Sequence, residues 1–193
     1  MEEKIEKFKE IAIRNFSKED FVYHEWIVKY HIEIVEKIAL ELCDIYKEAD
    51  RNIVRVLVWF HDFGKPLDEN NERTMTLKEG TKALLNCGFD QEFIDKVVYL
   101  WEFMEKKNEI DLHTAPIETK IVSSADGASH FVGVFYATYF GDGDSFDATQ
   151  KELADKIKKD WERKIVLPEV KKSFEDRYKK AQEIVGIFPE RFI

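Results

Sequence analysis

The chain has 193 residues with 39 acidic and 30 basic side chains, which gives a formal net charge of −9 at pH 7. Proteins that bind long nucleic acids usually present a basic face, so this charge argues against such a polymer as the main partner. The charged N-terminus and the lack of a long apolar run argue against a signal peptide and a membrane span, so we expect a soluble, cytoplasmic protein.

In chain order, the first predicted element is an amphipathic helix from Ile5 to Phe16, where apolar residues recur at helical spacing. Residues 17–20, Ser-Lys-Glu-Asp, resemble a capping box, so a second helix is expected to begin there and to run from about Phe21 to Tyr46. His24 and His31 are separated by about two helical turns, and we expect them on nearly the same face of this helix.

The next stretch, residues 53–66, reads Ile-Val-Arg-Val-Leu-Val-Trp-Phe-His-Asp-Phe-Gly-Lys-Pro and is apolar on nearly every side before it reaches the His-Asp pair. Asp50 is a good N-cap for this helix, and the Gly and Pro residues that follow the pair are expected to end it. A helix that is apolar all round is usually buried. His61 and Asp62 point about 100° apart, but both can reach one ion beyond the helix end, which suggests a metal site.

The rest of the chain predicts one loop and further helices. Residues 67–73 are polar and rich in turn formers, which predicts a loop. The predicted helices are Leu77–Leu85 closing at Gly88, Glu92–Lys107 capped by Asp90, Pro116–Phe140, Ala148–Val166 and Val170–Val185, with a break at residues 141–145. No convincing alternating strand and no linker-like stretch occurs, so we predict an all-α fold, a single-domain helical bundle over residues 1–193.

Asp126 lies among small residues at positions 123–129, where a neighbouring backbone can approach closely. A carboxylate buried in such a setting needs a partner. His130 follows four positions later and is expected on the same helical face.

Together, His31, the His61-Asp62 pair and Asp126 resemble the motif of the HD-domain superfamily of metal-dependent phosphohydrolases. The local sequences are similar to the three motifs of that family, and the resemblance covers a motif-bearing core of about residues 22–135. These local sequences are His31-Ile-Glu-Ile-Val35, Trp59-Phe-His-Asp-Phe-Gly-Lys65 and Ile121-Val-Ser-Ser-Ala-Asp126. The resemblance implies an HD-type bundle on which C-terminal helices at about 146–186 pack.

The resemblance further implies that His31, His61, Asp62 and Asp126 bind one divalent metal ion, with Mn, Zn, Co, Ni, Fe and Mg as candidates. Two-metal branches of the family carry further histidines between the doublet and the last aspartate, whereas the corresponding positions here are Arg73-Thr74 and Trp101-Glu102, which favours one metal. The expected reaction is hydrolysis of a small phosphate ester by metal-activated water, and the expected substrate is a nucleotide or another phosphorylated metabolite.

Five further residues are candidates for a part in catalysis. Lys65 would present a point charge to a substrate phosphate. His24 or His130 could contact the substrate or protonate a leaving group, because an imidazole titrates near working pH. Asp68 or Glu69 could handle the attacking water, but their spacing does not match the family pattern cleanly, so the general base stays unassigned.

Two other functions stay open at this stage: a metal-dependent oxygenase on the same scaffold, and a non-catalytic nucleotide-binding regulatory module. The oligomeric state is also open, with a homodimer among the options. Residues 151–181 contain 11 basic and 7 acidic side chains. We interpret this segment as a solvated helix with mixed charges rather than as an interaction surface.

Overall fold

The computed structural model describes residues 1–106, 108–141 and 145–191, which form ten α-helices joined by short turns. The helices are α1 (Glu2–Phe16), α2 (Glu33–Ile45), α3 (Arg51–Phe60), α4 (Glu72–Met75), α5 (Thr81–Asn86), α6 (Gln91–Glu105), α7 (Ile117–Ser129), α8 (Phe135–Thr138), α9 (Phe146–Lys159) and α10 (Pro168–Ile184). The described residues also form three π-helical turns: Val28–Ile32 precedes α2, Thr76–Gly80 precedes α5, and Asp160–Lys164 follows α9. These described residues contain no strand, which confirms the all-α prediction.

Helix α3 is the buried helix that the apolar stretch predicts. Seven of its ten residues are buried, and it packs against α1, α2, α6 and α7. The predicted cap is also present, because the Asp50 carboxylate accepts hydrogen bonds from the backbone N–H groups of Asn52 at 3.0 Å and Ile53 at 3.2 Å. The helix ends at Phe60, so His61 and Asp62 follow directly from a segment that packing holds in place.

Helix α7 is buried almost along its whole length, with 11 of its 13 residues inaccessible. Its small residues let the chain after α9 approach closely: Ser123 Oγ donates to the Lys164 carbonyl at 3.0 Å, and Ser124 Oγ accepts from the Val166 N–H at 3.0 Å. A Cβ at Gly127 would lie 2.8 Å from Lys164 Cβ, so only glycine fits there without a shift of the neighbouring segment. The predicted close approach to this helix is therefore observed, and the approaching segment is the turn Asp160–Lys164.

Two predicted helices differ from the structure. The helix expected from Phe21 begins only at Val28, because residues 18–27 form tight turns in which the aromatic rings of Phe21, Tyr23 and Trp26 pack on one another. His24 therefore does not share a helical face with His31.

The helix expected from Pro116 to Phe140 stops at Ser129. The chain reverses at Gly133, whose φ of +70° suits glycine, before the short helix α8 begins. The segment predicted as Ala148–Val166 is observed as α9 and the turn that ends at Lys164, and the loop predicted at 67–73 contains a 3₁₀ turn and the start of α4. The predicted C-terminal end at Lys107 and part of the predicted break at 141–145 lie outside the described residues.

One cluster of buried apolar side chains extends from Ile5 in α1 to Ala181 in α10, so the C-terminal helices share a core with the helices that carry the motifs. A small second cluster contains Leu112, Ala115 and Val166. The extent of the domain stays a prediction. Within the described parts of the chain, none of the helices combines the length and apolar character that a membrane crossing requires.

The cap of α3 gives a first test of this fold. Replacing Asp50 by Ala removes the acceptor for two backbone N–H groups and is expected to lower the free energy of unfolding by about 1 kcal/mol. The matched control is Asp50→Asn, which keeps a capping oxygen and should stay close to wild type. Urea unfolding followed by circular dichroism measures both, and equal stability of Asp50→Ala and wild type would contradict this role of the cap.

Candidate metal centre

The structure brings the four predicted ligands to the lining of one cavity of about 380 Å³. His31 lies in the π-helical turn before α2, His61 and Asp62 follow the end of α3, and Asp126 lies in α7. Three of these side chains are almost fully buried, since His31, His61 and Asp126 are 2%, 5% and 5% exposed. Residues far apart in sequence therefore meet in a place that water reaches poorly.

The distances between their donor atoms suit ligands of a shared ion. His31 Nε2 lies 3.5 Å from Asp62 Oδ2 and 3.8 Å from Asp126 Oδ1, and His61 Nε2 lies 3.5 Å from Asp62 Oδ2. These separations exceed those of ordinary hydrogen bonds. They are close to the roughly 3 to 3.5 Å between neighbouring donors around an ion that binds each donor at about 2.1 Å.

Hydrogen bonds to Nδ1, the outer nitrogen of each ring, fix the orientation of the His31 and His61 imidazoles. His61 Nδ1 lies 2.6 Å from the Val58 carbonyl oxygen, which can only accept, so Nδ1 carries the proton. Ser129 Oγ donates to the Asp126 carbonyl at 2.7 Å and can therefore accept from His31 Nδ1 at 2.9 Å. Both Nε2 atoms are left with a lone pair that faces the cavity. This outer-nitrogen arrangement is typical of metal-binding histidines.

His61 Nε2 provides the test of whether a metal fits. It is buried and has no hydrogen-bond partner, and such orphaned polar atoms are rare in native proteins. A divalent cation beside it would satisfy the lone pair and would also balance the two nearby carboxylates. We conclude that the donor set fits a metal ion.

The candidate ligands form two overlapping groups of three. One contains His31, His61 and Asp62, and the other contains His31, Asp126 and His130. His31 belongs to both groups, and its single Nε2 lone pair can bind only one ion. Among the described residues, the two groups thus share one ligand, and the donor atoms of all five residues do not lie within 4.8 Å of one another.

Asp126 is held by a lysine that sequence analysis did not connect to the site. Lys164 Nζ donates to Asp126 Oδ2 at 2.6 Å and lies 3.7 Å from Asp160 Oδ1, so Asp126 Oδ1 stays available to face the cavity. Burial acts to raise the pKa of Asp126, but Lys164 and the nearby histidines hold it well below its usual value. Burial likewise acts to lower the pKa of Lys164, and the two aspartates raise it instead. Asp126 is thus ionised, as a metal ligand requires.

The solvated-helix interpretation of residues 151–181 therefore needs correction. Lys156 and Lys164 from this segment line the cavity, and Asp160 between them is fully buried. A signal was present in the sequence: Asp160 and Lys164 continue, at helical spacing, the apolar stripe of Leu153 and Ile157. Charged residues on a buried stripe indicate a polar site rather than a solvated face.

Among the other predicted site residues, Lys65, Glu69 and His130 line the cavity, whereas His24 and Asp68 are not part of its lining. Lys65 Nζ lies 3.8 Å from Asp62 Oδ2, and this neighbour raises the pKa of the lysine. His24 Nδ1 donates to the Phe21 carbonyl at 2.7 Å within its own turn. The Asp68 carboxylate accepts from the backbone N–H groups that begin the 3₁₀ turn after it.

Sequence analysis also missed Glu72, which lines the cavity beside the His-Asp pair. Gly64 allows this, because a Cβ there would lie 2.2 Å from the Glu72 carbonyl oxygen and 2.4 Å from the Thr76 nitrogen. Thr76 Oγ1 also accepts from the Gly64 N–H at 2.9 Å. Burial and the neighbouring Asp62 carboxylate raise the pKa of Glu72 to about 8. Because Gly64 has no side chain, α4 can approach closely enough for the Glu72 side chain to reach the cavity.

Comparison with known proteins shows the family to which the chain belongs. The family model of the HD domain matches residues 28–163, which is well over half of the chain, and the chain belongs to the HD-domain family. Domains of this family bind divalent metals and are in general metal-dependent hydrolases. Neither a search of curated proteins nor a search of solved structures found a match.

Metal binding to this site should stabilise the fold. Adding Mn²⁺ or Co²⁺ to the metal-free protein is expected to raise Tm, with a gain of about 2.7 kcal/mol when the free ion reaches about 100 times its Kd. EDTA should reverse the shift. The Asp62→Asn variant should lose most of the metal-dependent rise in Tm, because a charged carboxylate ligand is replaced by a neutral amide that binds metal weakly.

The matched control is Asp68→Asn, which changes a carboxylate outside the cavity and keeps an oxygen for its cap. This variant should retain the whole metal-dependent shift. An equal shift in Asp62→Asn and Asp68→Asn would contradict the assignment of Asp62 to the metal centre.

Proposed function

We propose that the protein is a metal-dependent phosphohydrolase that acts on a small phosphate ester, with a nucleotide as the preferred class of substrate. The observation that carries this proposal is the convergence of His31, His61, Asp62 and Asp126 at one cavity that also contains lysines and aromatic rings. A divalent ion bound there would polarise a phosphoryl oxygen and lower the pKa of bound water. The remaining tasks fall to the protein's own side chains.

Lys65 is suited to hold the phosphate. Its Nζ is at the end of a flexible stem, is partly exposed to the cavity, and lies within 3.8 Å of the Asp62 carboxylate. Lys156, whose side chain is also partly exposed, presents a second amino group from α9, and burial together with Lys164 lowers its pKa to about 7. Negative charge develops on phosphoryl oxygens during transfer, and fixed cations in a poorly hydrated site stabilise it.

We assign the task of orienting the attacking water to Glu72 in place of Asp68. The Glu72 side chain reaches the cavity next to Asp62, whereas the Asp68 carboxylate is occupied by its cap. The close packing of α4 against Gly64 fixes where this carboxylate lies. A positioned carboxylate beside the metal ligands can hold a water and take part in its deprotonation.

A nucleotide is favoured by the aromatic residues of the cavity. Tyr23, Trp26, Phe135 and Tyr139 all line it, and successive ring centroids in this group lie 5.5, 5.7 and 6.2 Å apart. Such rings offer a face on which a base can stack. The cavity volume of about 380 Å³ lies within the range of small-molecule sites.

A phosphate-release screen tests the proposal. Nucleotides and sugar phosphates should be incubated with the protein and Mn²⁺, Co²⁺, Ni²⁺, Zn²⁺ or Mg²⁺, and at least one nucleotide is expected to release phosphate or pyrophosphate. Asp62→Ala should lower the rate to background, and activity that survives this change would point to a contaminant. A nucleotide that raises Tm without any product would contradict hydrolysis and favour a regulatory module.

The role of Lys65 makes a narrower prediction. Lys65→Ala should lower kcat/KM by about 10-fold to 100-fold, because a hydrogen bond to a charged group contributes roughly 1.5–3 kcal/mol. Lys78→Ala, which removes an exposed lysine away from the cavity, is the control and should leave kcat/KM unchanged. Equal kcat/KM in both variants would contradict contact between Lys65 and the substrate.

A further inference from the structure

His130 is the third histidine at the cavity, and its ring packs against two other rings. The side chain is 4% exposed. Its ring stacks on His31 with centroids 5.0 Å apart and on Phe135 with centroids 3.7 Å apart. The His31 and Phe135 centroids are themselves 5.8 Å apart, so these rings lie on adjacent sides of His130. Together with the burial of the side chain, these contacts restrict how far the ring can turn.

The outer nitrogen of this ring carries the proton. His130 Nδ1 lies 2.8 Å from Asp160 Oδ2 and 3.1 Å from Lys156 Nζ, so either group could be its partner. Lys156 donates to both carboxylate oxygens of Asp160 at 2.6 Å, and these are better acceptors than an imidazole. Asp160 is fully buried and accepts, so His130 Nδ1 donates to it.

This leaves a lone pair on His130 Nε2, and the atom lies 3.4 Å from Asp126 Oδ1. That distance is longer than a good hydrogen bond and matches the spacings among His31, His61 and Asp62. His130 thus repeats the arrangement of His31 and His61, with Nδ1 donating to the protein and Nε2 lying beside a carboxylate that is a candidate ligand. A carboxylate behind a histidine is a recurrent way of orienting a metal ligand.

We propose that His130 is an additional ligand of the metal ion, and that Asp160 is the positioning residue that holds its ring. With His31, His61, Asp62 and Asp126, the chain would supply three imidazoles and two carboxylates, and the bound ion would draw together two donor groups that share only His31 in this structure. Five protein donors favour ions that accept six ligands, such as Mn²⁺, Fe²⁺, Co²⁺ or Ni²⁺, over four-coordinate Zn²⁺. The inference rests on the metal centre of the proposed function and does not depend on which substrate is hydrolysed.

Spectroscopy on the wild-type protein tests this without any variant. With one equivalent of Cu²⁺ as a probe, pulsed EPR detects the outer nitrogen of each imidazole that binds through its inner nitrogen. Three coupled imidazoles are expected. A count of two would overturn the proposal while leaving the proposed function intact, and a protein that binds no divalent ion would overturn both.

Variants provide a second measurement, the affinity for Co²⁺ in competition with a chelating dye. His130→Gln should remove one imidazole signal and weaken binding by at least 10-fold, and Asp160→Asn should weaken it by about 10-fold to 100-fold. The matched control is His113→Gln, which makes the same substitution at an exposed position. Unchanged affinity and an unchanged imidazole count in His130→Gln, with circular dichroism matching wild type, would overturn the proposal.

Discussion

The constraint on which this structure depends is the burial of two carboxylates and an unpartnered imidazole nitrogen around one point. Ionised groups in a poorly hydrated site are costly unless an opposite charge compensates them. Although burial acts to raise the pKa of Asp62, the charge of Lys65 acts against it and the pKa stays well below its usual value, and Lys164 has a similar effect on Asp126. His61 Nε2 still has no partner, so a divalent cation is the group that completes the set.

The fold explains how these groups reach one place. Helix α3 is apolar on most sides and is fixed by packing, so the His-Asp pair at its end has a defined position. Helix α7 uses small residues where other helices use large ones, and Gly127 lets the turn Asp160–Lys164 come close enough for Lys164 to reach Asp126. The C-terminal part of the chain thus lines the cavity, through Lys156 and Lys164, and also contributes to the hydrophobic core.

Much of this arrangement could be predicted from the sequence, because long periodic segments and the motif residues carry strong local signals. The buried helix, its Asp50 cap and the closeness of Asp126 to His130 are examples. The prediction of a helix that begins near Phe21 was wrong, because residues 18–27 form turns in which aromatic rings pack on one another. Glu72 was missed because it enters the site through the close approach of α4 to Gly64, which local patterns do not encode. Asp160 and Lys164 continue a buried stripe that the sequence does show, but that stripe does not reveal which side chains it faces.

The central claim is that His31, His61, Asp62 and Asp126 hold one divalent ion. The most direct measurement is anomalous diffraction from crystals of the protein grown with Mn²⁺ or Co²⁺. We predict one strong peak in the cavity, within bonding distance of His61 Nε2 and of Asp126 Oδ1. A cavity without a peak, or a peak that the Asp126 carboxylate does not reach, would contradict the account.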